Sequence, residues 1–406
     1  MAALPDGDPA PLDGMLPASA SKQVAGQFGL YVHIPFCRVR CGYCDFNTYT
    51  QADMPGVSHG DYSGLAVTEL EFADQVLQAS GVAPRSLSTV FFGGGTPTLL
   101  PANDLTAVIQ RARELWGIEP GAEITVEANP DTLDQAYLDA LAEGGVTRVS
   151  LGVQSFVSHV LSTLERTHNP DLVPGVVQAI KEAGLQVSLD LIYGTPGESA
   201  KEWSQTLESA LELEPDHISA YSLIVEPGTA LARRVNRGEI DPIDDDAHAE
   251  FYEIADDALT GAGFDWYEVS NWSTGVDTRS RHNLSYWTGA DWWGIGPGAH
   301  SHVGGVRWWN VKHPKAYAER VREGNSPALA REVLGDNERY MELVMLRLRT
   351  KEGLATSALL PGHQPVVAWA ISESLVEPEL ALQGVLVLTR AGRLIADQIA
   401  LRLVGE

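Results

Sequence analysis

The chain has 406 residues, of which 54 are acidic and 28 basic, giving a formal charge of −26. That length accommodates two domains, and no apolar run of about 18 residues suggests a membrane-spanning helix. The acidic balance argues against a general nucleic-acid binder, so no nucleic-acid partner is expected.

Residues 1–27 are rich in Ala, Pro, Asp and Ser without a continuous apolar segment. They read as a mobile tail rather than a signal peptide. Leu30–Ile34 is the first predicted strand, and Pro35 and Gly42 mark the loop into which it opens. That loop carries Cys37, Cys41 and Cys44, spaced C-x3-C-x2-C, and the chain has no other cysteine. With no fourth cysteine and such tight spacing, metal binding is favoured over a disulfide framework, and thiols that must stay reduced indicate the cytoplasm. Three thiolates neither close a tetrahedral zinc site nor fill all four corners of a cubane cluster. They can hold a [4Fe-4S] cluster by three irons and leave the fourth open to a small molecule. A zinc site completed by His33 or Asp45, or three ordinary buried cysteines, are the alternatives. A loop at the C-terminal end of a strand is where α/β folds place their chemistry.

Five more strands follow at Thr89–Phe92, Glu123–Glu127, Arg148–Val153, Val187–Ile192 and His217–Ile224. Helix-like stretches separate them near Ser63–Leu77, Asn103–Leu115, Leu133–Glu143, Val173–Ala183 and Glu202–Leu213. Alternation of this kind predicts an α/β fold with a parallel sheet and right-handed crossovers, too few units for a closed eight-fold barrel. The strand ends carry unusual residues. Phe91-Phe92-Gly93-Gly94-Gly95-Thr96-Pro97 lets the backbone approach a ligand closely, and it has neither GxGxxG spacing nor a Walker lysine. Glu127 and Gln154 end the next two strands. Asp190 sits inside the apolar run Leu189–Ile192, where a carboxylate is costly unless something satisfies it.

Beyond Pro227 the alternation stops. Residues 228–262 read as a helical connector, within which Asp241–Asp257 holds eight carboxylates and no Lys or Arg. Phe251, Tyr252 and Ile254 give that run an apolar face, so it reads as a solvated helix rather than a metal site. Residues 263–313 contain seven of the ten tryptophans and four of the eleven histidines. Trp292, Trp293, Trp308 and Trp309 read as the core of a small sheet. The last hundred residues read mostly as helices at Pro314–Glu323, Asn337–Arg349, Val366–Glu373 and Ala391–Leu403, with a short strand at Val385–Leu388.

The stretch Tyr31-Val32-His33-Ile34-Pro35-Phe36-Cys37 with its C-x3-C-x2-C loop resembles the radical S-adenosylmethionine (SAM) superfamily, in the branch that includes coproporphyrinogen dehydrogenases. The resemblance implies an open three-quarter (β/α)6 barrel over residues 28–227, after a tail at 1–27. A connector and aromatic segment at 228–313 and a helical, winged-helix-like C-terminal domain at 314–406 complete the expected organisation. It implies a [4Fe-4S] cluster on Cys37, Cys41 and Cys44 and SAM chelated at the open iron, where one electron cleaves it. Gly94, Gly95 and Thr96 match the segment that takes the methionyl amino group. Glu127 and Gln154 match ribose and adenosyl contacts, Arg166 a methionyl carboxylate contact, and Asp190 a further SAM contact. Tyr31 and Tyr43 match aromatic positions beside cluster and cofactor. Asp190 or Glu127 as a buried structural acid paired to a backbone N–H or Arg148 is the competing reading.

Within that branch, C-x3-C-x2-C-x-C is the pattern of the oxygen-independent dehydrogenase, whereas Phe46 here resembles the heme-chaperone family. Arg281-His282-Asn283-Leu284-Ser285-Tyr286-Trp287 likewise matches that family's H-N-x2-Y-W motif, whose His is implicated in heme ligation; His300 and His302 are reserve candidates. The resemblance thus implies heme and apo-hemoprotein acceptors, such as respiratory hemoproteins, as partners, without coproporphyrinogen dehydrogenase activity. Oxygen-independent coproporphyrinogen III dehydrogenase is the alternative. Homodimerisation and peripheral contact with the inner face of the membrane stay open.

Overall fold

The computed structural model describes residues 6–22, 26–50 and 57–405. Thirteen strands form one sheet: β1 (Asp8–Pro9), β2 (Phe28–Ile34), β3 (Leu87–Gly94), β4 (Ile118–Ala128), β5 (Arg148–Gln154), β6 (Gln186–Tyr193), β7 (His217–Ser222), β8 (Asp265–Glu268), β9 (Asn271–Ser273), β10 (Asp291–Ile295), β11 (His300–Val303), β12 (Val306–Asn310) and β13 (Ala328–Val333). Their spatial order is β1-β13-β12-β11-β10-β2-β3-β4-β5-β6-β7-β9-β8. The six expected strands, β2 to β7, are parallel neighbours in sequence order. The sheet does not close on itself, because β8 and β1 end it on opposite sides.

Two-residue alternation gives this sheet its chemistry. Leu30 and Val32, Val90 and Phe92, Ile124 and Val126, Val149 and Leu151, Val187 and Leu189, and Ile218 and Ala220 are buried under the crossover helices. The intervening residues, Tyr31, Phe91, Thr125, Glu127, Ser150, Asp190 and Ser219 among them, point to the other face and line a cavity. Parallel sheets usually read as unbroken apolar runs because both faces are covered by apolar packing. Here polar groups alternate with aromatic ones such as Tyr31 and Phe91 on the inner face, so the concave side suits a ligand with both polar and apolar parts.

Helix His59–Ala79 shows how the outer layer is fixed. Ser58 and Asp61 form a capping box, and Tyr62, Leu65, Ala66, Leu70, Ala73 and Leu77 put an apolar stripe on the sheet. The same stripe contains Glu69, whose carboxylate accepts from Gly296 N–H at 2.8 Å, Tyr317 O–H at 2.6 Å and Asn310 Nδ2 at 2.7 Å. One buried acid thus ties the helix to the strands on the far side of β2. Burial outweighs those three donors and lifts the Glu69 carboxyl to about 7.

The aromatic segment departs from a separate small sheet. β10 lies parallel to β2, with Trp293 opposite Leu30, so it is a seventh parallel strand of the main sheet. β11 to β13 extend that side, and β9 and β8 extend the β7 side. Trp293, Trp308 and Trp309 are buried, as core rings should be, while Trp292 is half-buried. The acidic run forms helix Asp245–Gly261 with Phe251, Tyr252, Ala255 and Leu259 buried.

Residues 6–22 are not the free tail expected. Asp8 and Pro9 pair with Arg331 and Ala330, Leu12 O accepts from Ser326 N–H at 2.7 Å, and Met15 O accepts from Arg331 Nη1 at 2.8 Å. Leu16 and Ala20 are buried. A short apolar pair sufficed to anchor a segment whose composition is otherwise loop-like. The predicted helix Ala391–Leu403 is broken at Ile395 into Arg390–Leu394 and Ala396–Val404. These helices pack with β14 (Leu354–Ala355) and β15 (Val385–Leu386) around a second core that includes Val344, Leu348, Val376 and Ile399. Arg393 joins this unit to the acidic helix through two 3.1 Å bonds to Asp256. Among the described residues, no helix is long and apolar enough to cross a membrane.

Candidate functional site

The loop after β2 is held by its own backbone. Cys37 N–H donates to Tyr49 O at 3.0 Å, Tyr49 N–H to Pro35 O at 2.8 Å, and Cys44 N–H to Cys41 O at 3.1 Å. The glycine segment after β3 is stitched to the same loop: Gly95 N–H donates to Ile34 O at 2.8 Å and Thr96 N–H to Phe36 O at 2.7 Å. A Cβ on Gly95 would lie 2.3 Å from Phe36 O, which only glycine avoids. Gly94, at φ +110°, directs its N–H to Glu127 Oε2 at 3.0 Å.

These segments and the inner strand faces enclose a cavity of about 490 Å3, a size typical of small-molecule sites. Cys37, Cys41, Cys44, Tyr31, Tyr43, Gly94, Gly95, Thr96, Glu127, Gln154, Arg166, Asp190 and His282 all line it. His300 and His302 do not: they lie on β11, where His300 stacks on Trp309 and His302 Nδ1 bonds Ala290 O at 3.1 Å. The cavity therefore gathers residues from positions 31 to 286, running from the C-terminal ends of the parallel strands inward to their starts at Arg148 and His217.

Arg166 bridges the cysteine loop and the strands. Its Nη2 donates to Asn129 Oδ1 and Gly152 O, both at 2.7 Å, and its Nη1 approaches Cys41 Sγ at 3.7 Å. Its buried Nε has no protein partner. Gln154 follows a register shift in the β5–β6 pairing and sits at φ +66°. A bulge of this kind re-aims a side chain, here into the cavity. Asp190 accepts from Ser150 Oγ at 2.9 Å. Burial raises its carboxyl, against the Ser150 and Ser219 hydroxyls and Arg166, which lower it. Burial, then the Asp190 charge, lifts Glu127 to about 8, with Gly94 N–H opposing. Glu127 is therefore largely protonated near neutral pH.

The three cysteines line one wall of the cavity, where they offer three thiols and no fourth ligand of their own. His33 is committed elsewhere: its Nε2 bonds Asn47 O at 2.9 Å, so that nitrogen carries the proton and Nδ1 accepts from Tyr31 O–H at 3.0 Å. That removes the zinc site completed by His33. Burial lifts the Cys37 thiol to about 11 and raises Cys44 as well, so bare thiolates are disfavoured there without a cationic partner. The glycine cradle beside them, the unpartnered Arg166 Nε and the inward carboxyls fit a polar cofactor.

His282 opens helix Arg281–Thr288 at the cavity's inner end. Ser280 caps the helix, and the Arg281 and His282 N–H groups donate to the Glu123 carboxylate at 2.9 and 3.1 Å. Glu123 in turn pairs with buried Arg148 at 3.3 Å. The His282 ring stacks on Phe91 with centroids 4.9 Å apart. Both its nitrogens are engaged, Nδ1 with Thr89 Oγ1 and Nε2 with Tyr286 O–H, each at 2.8 Å. Burial depresses it to about 3, so it is neutral. Any ligand role for Nε2 requires Tyr286 to turn away. Sequence reasoning passed over Asn129 and Tyr286, although Tyr286 lies inside the H-N-x2-Y-W motif; their partners are supplied only by folding.

A strand-end cysteine loop on an open α/β barrel, facing a polar cavity, defines the radical SAM class, and that superfamily's sequence profile matches residues 31–210. The E. coli coproporphyrinogen III oxidase HemN, described as a radical SAM enzyme, shares the fold with a TM-score of 0.78 at 23% identity, covering 96% of this chain and 92% of that one. Curated relatives are closer in sequence: the heme chaperone HemW of Mycobacterium tuberculosis is 43% identical over 98% of each chain. HemW of Bacillus subtilis is 32% identical over 93% of this chain and 99% of its own. The chain belongs to the HemW family of the radical SAM superfamily.

Proposed function

We propose that the protein is a heme chaperone, binding heme and delivering it to apo-hemoproteins of the cytoplasm or its membrane. Identity of 43% across 98% of a relative that bears this name carries the reading. Phe46, at the position that distinguishes the chaperone pattern, and the cavity-lining His282 support it.

Cys37, Cys41 and Cys44 hold a [4Fe-4S] cluster by three irons. Such a cluster, when bound, supplies an open iron for SAM and a source of one electron. Gly94, Gly95 and Thr96 offer backbone groups to the methionyl end, with Arg166 facing its carboxylate. Glu127 and Gln154 take the ribose and adenosyl portions, Asp190 adds a contact, and Tyr31 and Tyr43 exclude water beside them. Glu127, raised to about 8, can donate a proton to a hydrogen bond at neutral pH as well as accept one. His282 is the proposed axial heme ligand once Tyr286 releases Nε2.

The test is an anaerobic incubation of the reconstituted protein with coproporphyrinogen III, SAM and a reductant, run beside heme transfer to an apo-hemoprotein. Transfer without porphyrinogen oxidation is expected; turnover of coproporphyrinogen III would overturn the proposal. His282→Ala should displace the Soret band and slow transfer, whereas His300→Ala should leave both as they are. An unchanged spectrum with undiminished transfer in His282→Ala would remove the ligand assignment alone.

A further inference from the structure

Polar side chains at the cavity's inner end largely satisfy one another. Ser150 bonds Asp190 at 2.9 Å, Ser188 bonds His217 Nδ1 at 2.8 Å, and His217 Nε2 bonds Tyr267 O–H at 2.7 Å. His282 has both nitrogens engaged. Thr125 Oγ1 and Arg148 Nη1 differ: both atoms are buried without a hydrogen-bond partner from the protein, and both residues line the cavity. Each residue is 2% exposed. A buried donor left unmade is costly, so two on one wall call for a partner that the fold does not supply.

The sheet sets the two donors side by side. Phe91 of β3, Thr125 of β4 and Arg148 of β5 are successive partners in the parallel register. Neighbouring strands lie about 4.8 Å apart, so one acceptor atom above the sheet can meet the Thr125 hydroxyl and the Arg148 guanidinium together. Arg148 is held in place: Nε and Nη2 donate to Gln186 Oε1 at 3.3 and 2.8 Å, and Nη2 also to Thr278 O at 2.8 Å. Nη1 stands 3.3 Å from Glu123 Oε2, an ion pair without a hydrogen bond. Since Glu123 balances the guanidinium, the pair offers donors without a net charge. It therefore suits an acceptor oxygen, whether of a carboxylate or of a neutral group. The His282 ring, stacked on Phe91 at 4.9 Å, lies one strand away from Thr125.

We propose that Thr125 and Arg148 form a subsite for a carboxyl arm of heme, one propionate oxygen accepting from both. The proposal rests on the heme-chaperone reading and deepens it by fixing which edge of the macrocycle is innermost. A macrocycle whose iron meets His282 beside Phe91 carries its rim over the next two strands, where these donors stand. The ribose of SAM is the competing source of an acceptor oxygen, because Glu127 lies two residues beyond Thr125 on the same strand face.

The test uses the full chain, reconstituted anaerobically, titrated with hemin and separately with iron(III) etioporphyrin, whose rim carries methyl and ethyl groups and no oxygen. Thr125→Val keeps the side chain's shape and removes its hydroxyl. It should weaken hemin about tenfold, the scale of one buried hydrogen bond, and leave iron etioporphyrin unaffected. Thr125→Ser retains the hydroxyl and should retain hemin affinity. Because the hydroxyl has no protein partner, Thr125→Val should keep or raise the thermal midpoint measured without ligand. Equal losses for both porphyrins, or no loss for hemin, would overturn the subsite while leaving the chaperone reading standing. Weakened SAM binding with hemin unaffected would give the hydroxyl to SAM instead. A lower midpoint with hemin affinity unchanged would assign it to an enclosed water. If the unaltered protein took up neither porphyrin, subsite and chaperone reading would fall together.

Discussion

Asp190 is the residue at which a structural and a functional role are hardest to separate by sequence alone. Folding gives it the Ser150 hydroxyl as a partner, yet its carboxyl also lines the cavity. Asp190→Asn keeps the shape and an acceptor but removes the charge. SAM affinity measured anaerobically should fall about tenfold, the value of one charge-assisted hydrogen bond, with little change in thermal midpoint. A collapsed transition with SAM affinity intact would make Asp190 a structural acid. Glu69 illustrates the opposite case, a buried acid that does not line the cavity. Its folded carboxyl sits at about 7, above the ordinary 4.5, so the native state binds the extra proton between those values. Stability from this group is therefore full below pH 4.5 and lost as pH rises through 7, by on the order of 2–3 kcal/mol. Glu69→Gln carries no such titration. Over pH 4.5–7.5 the wild-type thermal midpoint should fall relative to that of Glu69→Gln; parallel curves would show that burial does not raise this carboxyl. The cysteines, the glycine segment, Glu127, Gln154 and Asp190 were legible because each sits oddly for its strand or loop. Asn129 and Tyr286 were not, because an ordinary polar residue becomes a site residue only through the partner that folding brings to it.

At the scale of elements, the six parallel strands were legible to within a few residues, since apolar runs bounded by helical periodicity have few other interpretations. β10 was not. It is five residues long, and its parallel partner β2 lies about 260 positions earlier in the chain, a separation no local pattern encodes. The junction of strand and helix at the cavity's inner end is where an element depends on one residue. Glu123 neutralises Arg148 and receives two N–H groups from the first turn of helix Arg281–Thr288, where negative charge is favoured. Glu123→Gln leaves a buried guanidinium without its countercharge. It should cost on the order of 3–5 kcal/mol, read by chemical denaturation. Adding Arg148→Met to the same chain should recover part of that loss, because the uncompensated charge is gone. No recovery would mean that the helix contacts, rather than the ion pair, carry the stability.

The whole molecule depends on how its sheet is finished at the edges. An open barrel leaves a strand edge on each side, and a bare edge invites pairing with other chains. On the extended side, β13 is covered by residues 6–22 through the β1 pairing, Leu12 O and Met15 O, with Leu16 and Ala20 inserted against the core. Composition suggested a mobile tail because two buried side chains among Ala, Pro, Asp and Ser produce no periodic signal; only the distant strand makes them a contact. A chain beginning at residue 23 should therefore lose about 2–3 kcal/mol from the burial of Leu16 and Ala20. It should also aggregate more readily on heating, since the β13 edge is uncovered. Calorimetry with light scattering reads both effects. The cysteine loop lies on the other side of β10 to β12 from this edge, so cluster content after anaerobic reconstitution should be preserved at temperatures below the transition. An unchanged midpoint with no added scattering would restore the mobile-tail reading. Loss of the cluster at low temperature would show instead that the edge and the cysteine loop are mechanically coupled through β10 and β2.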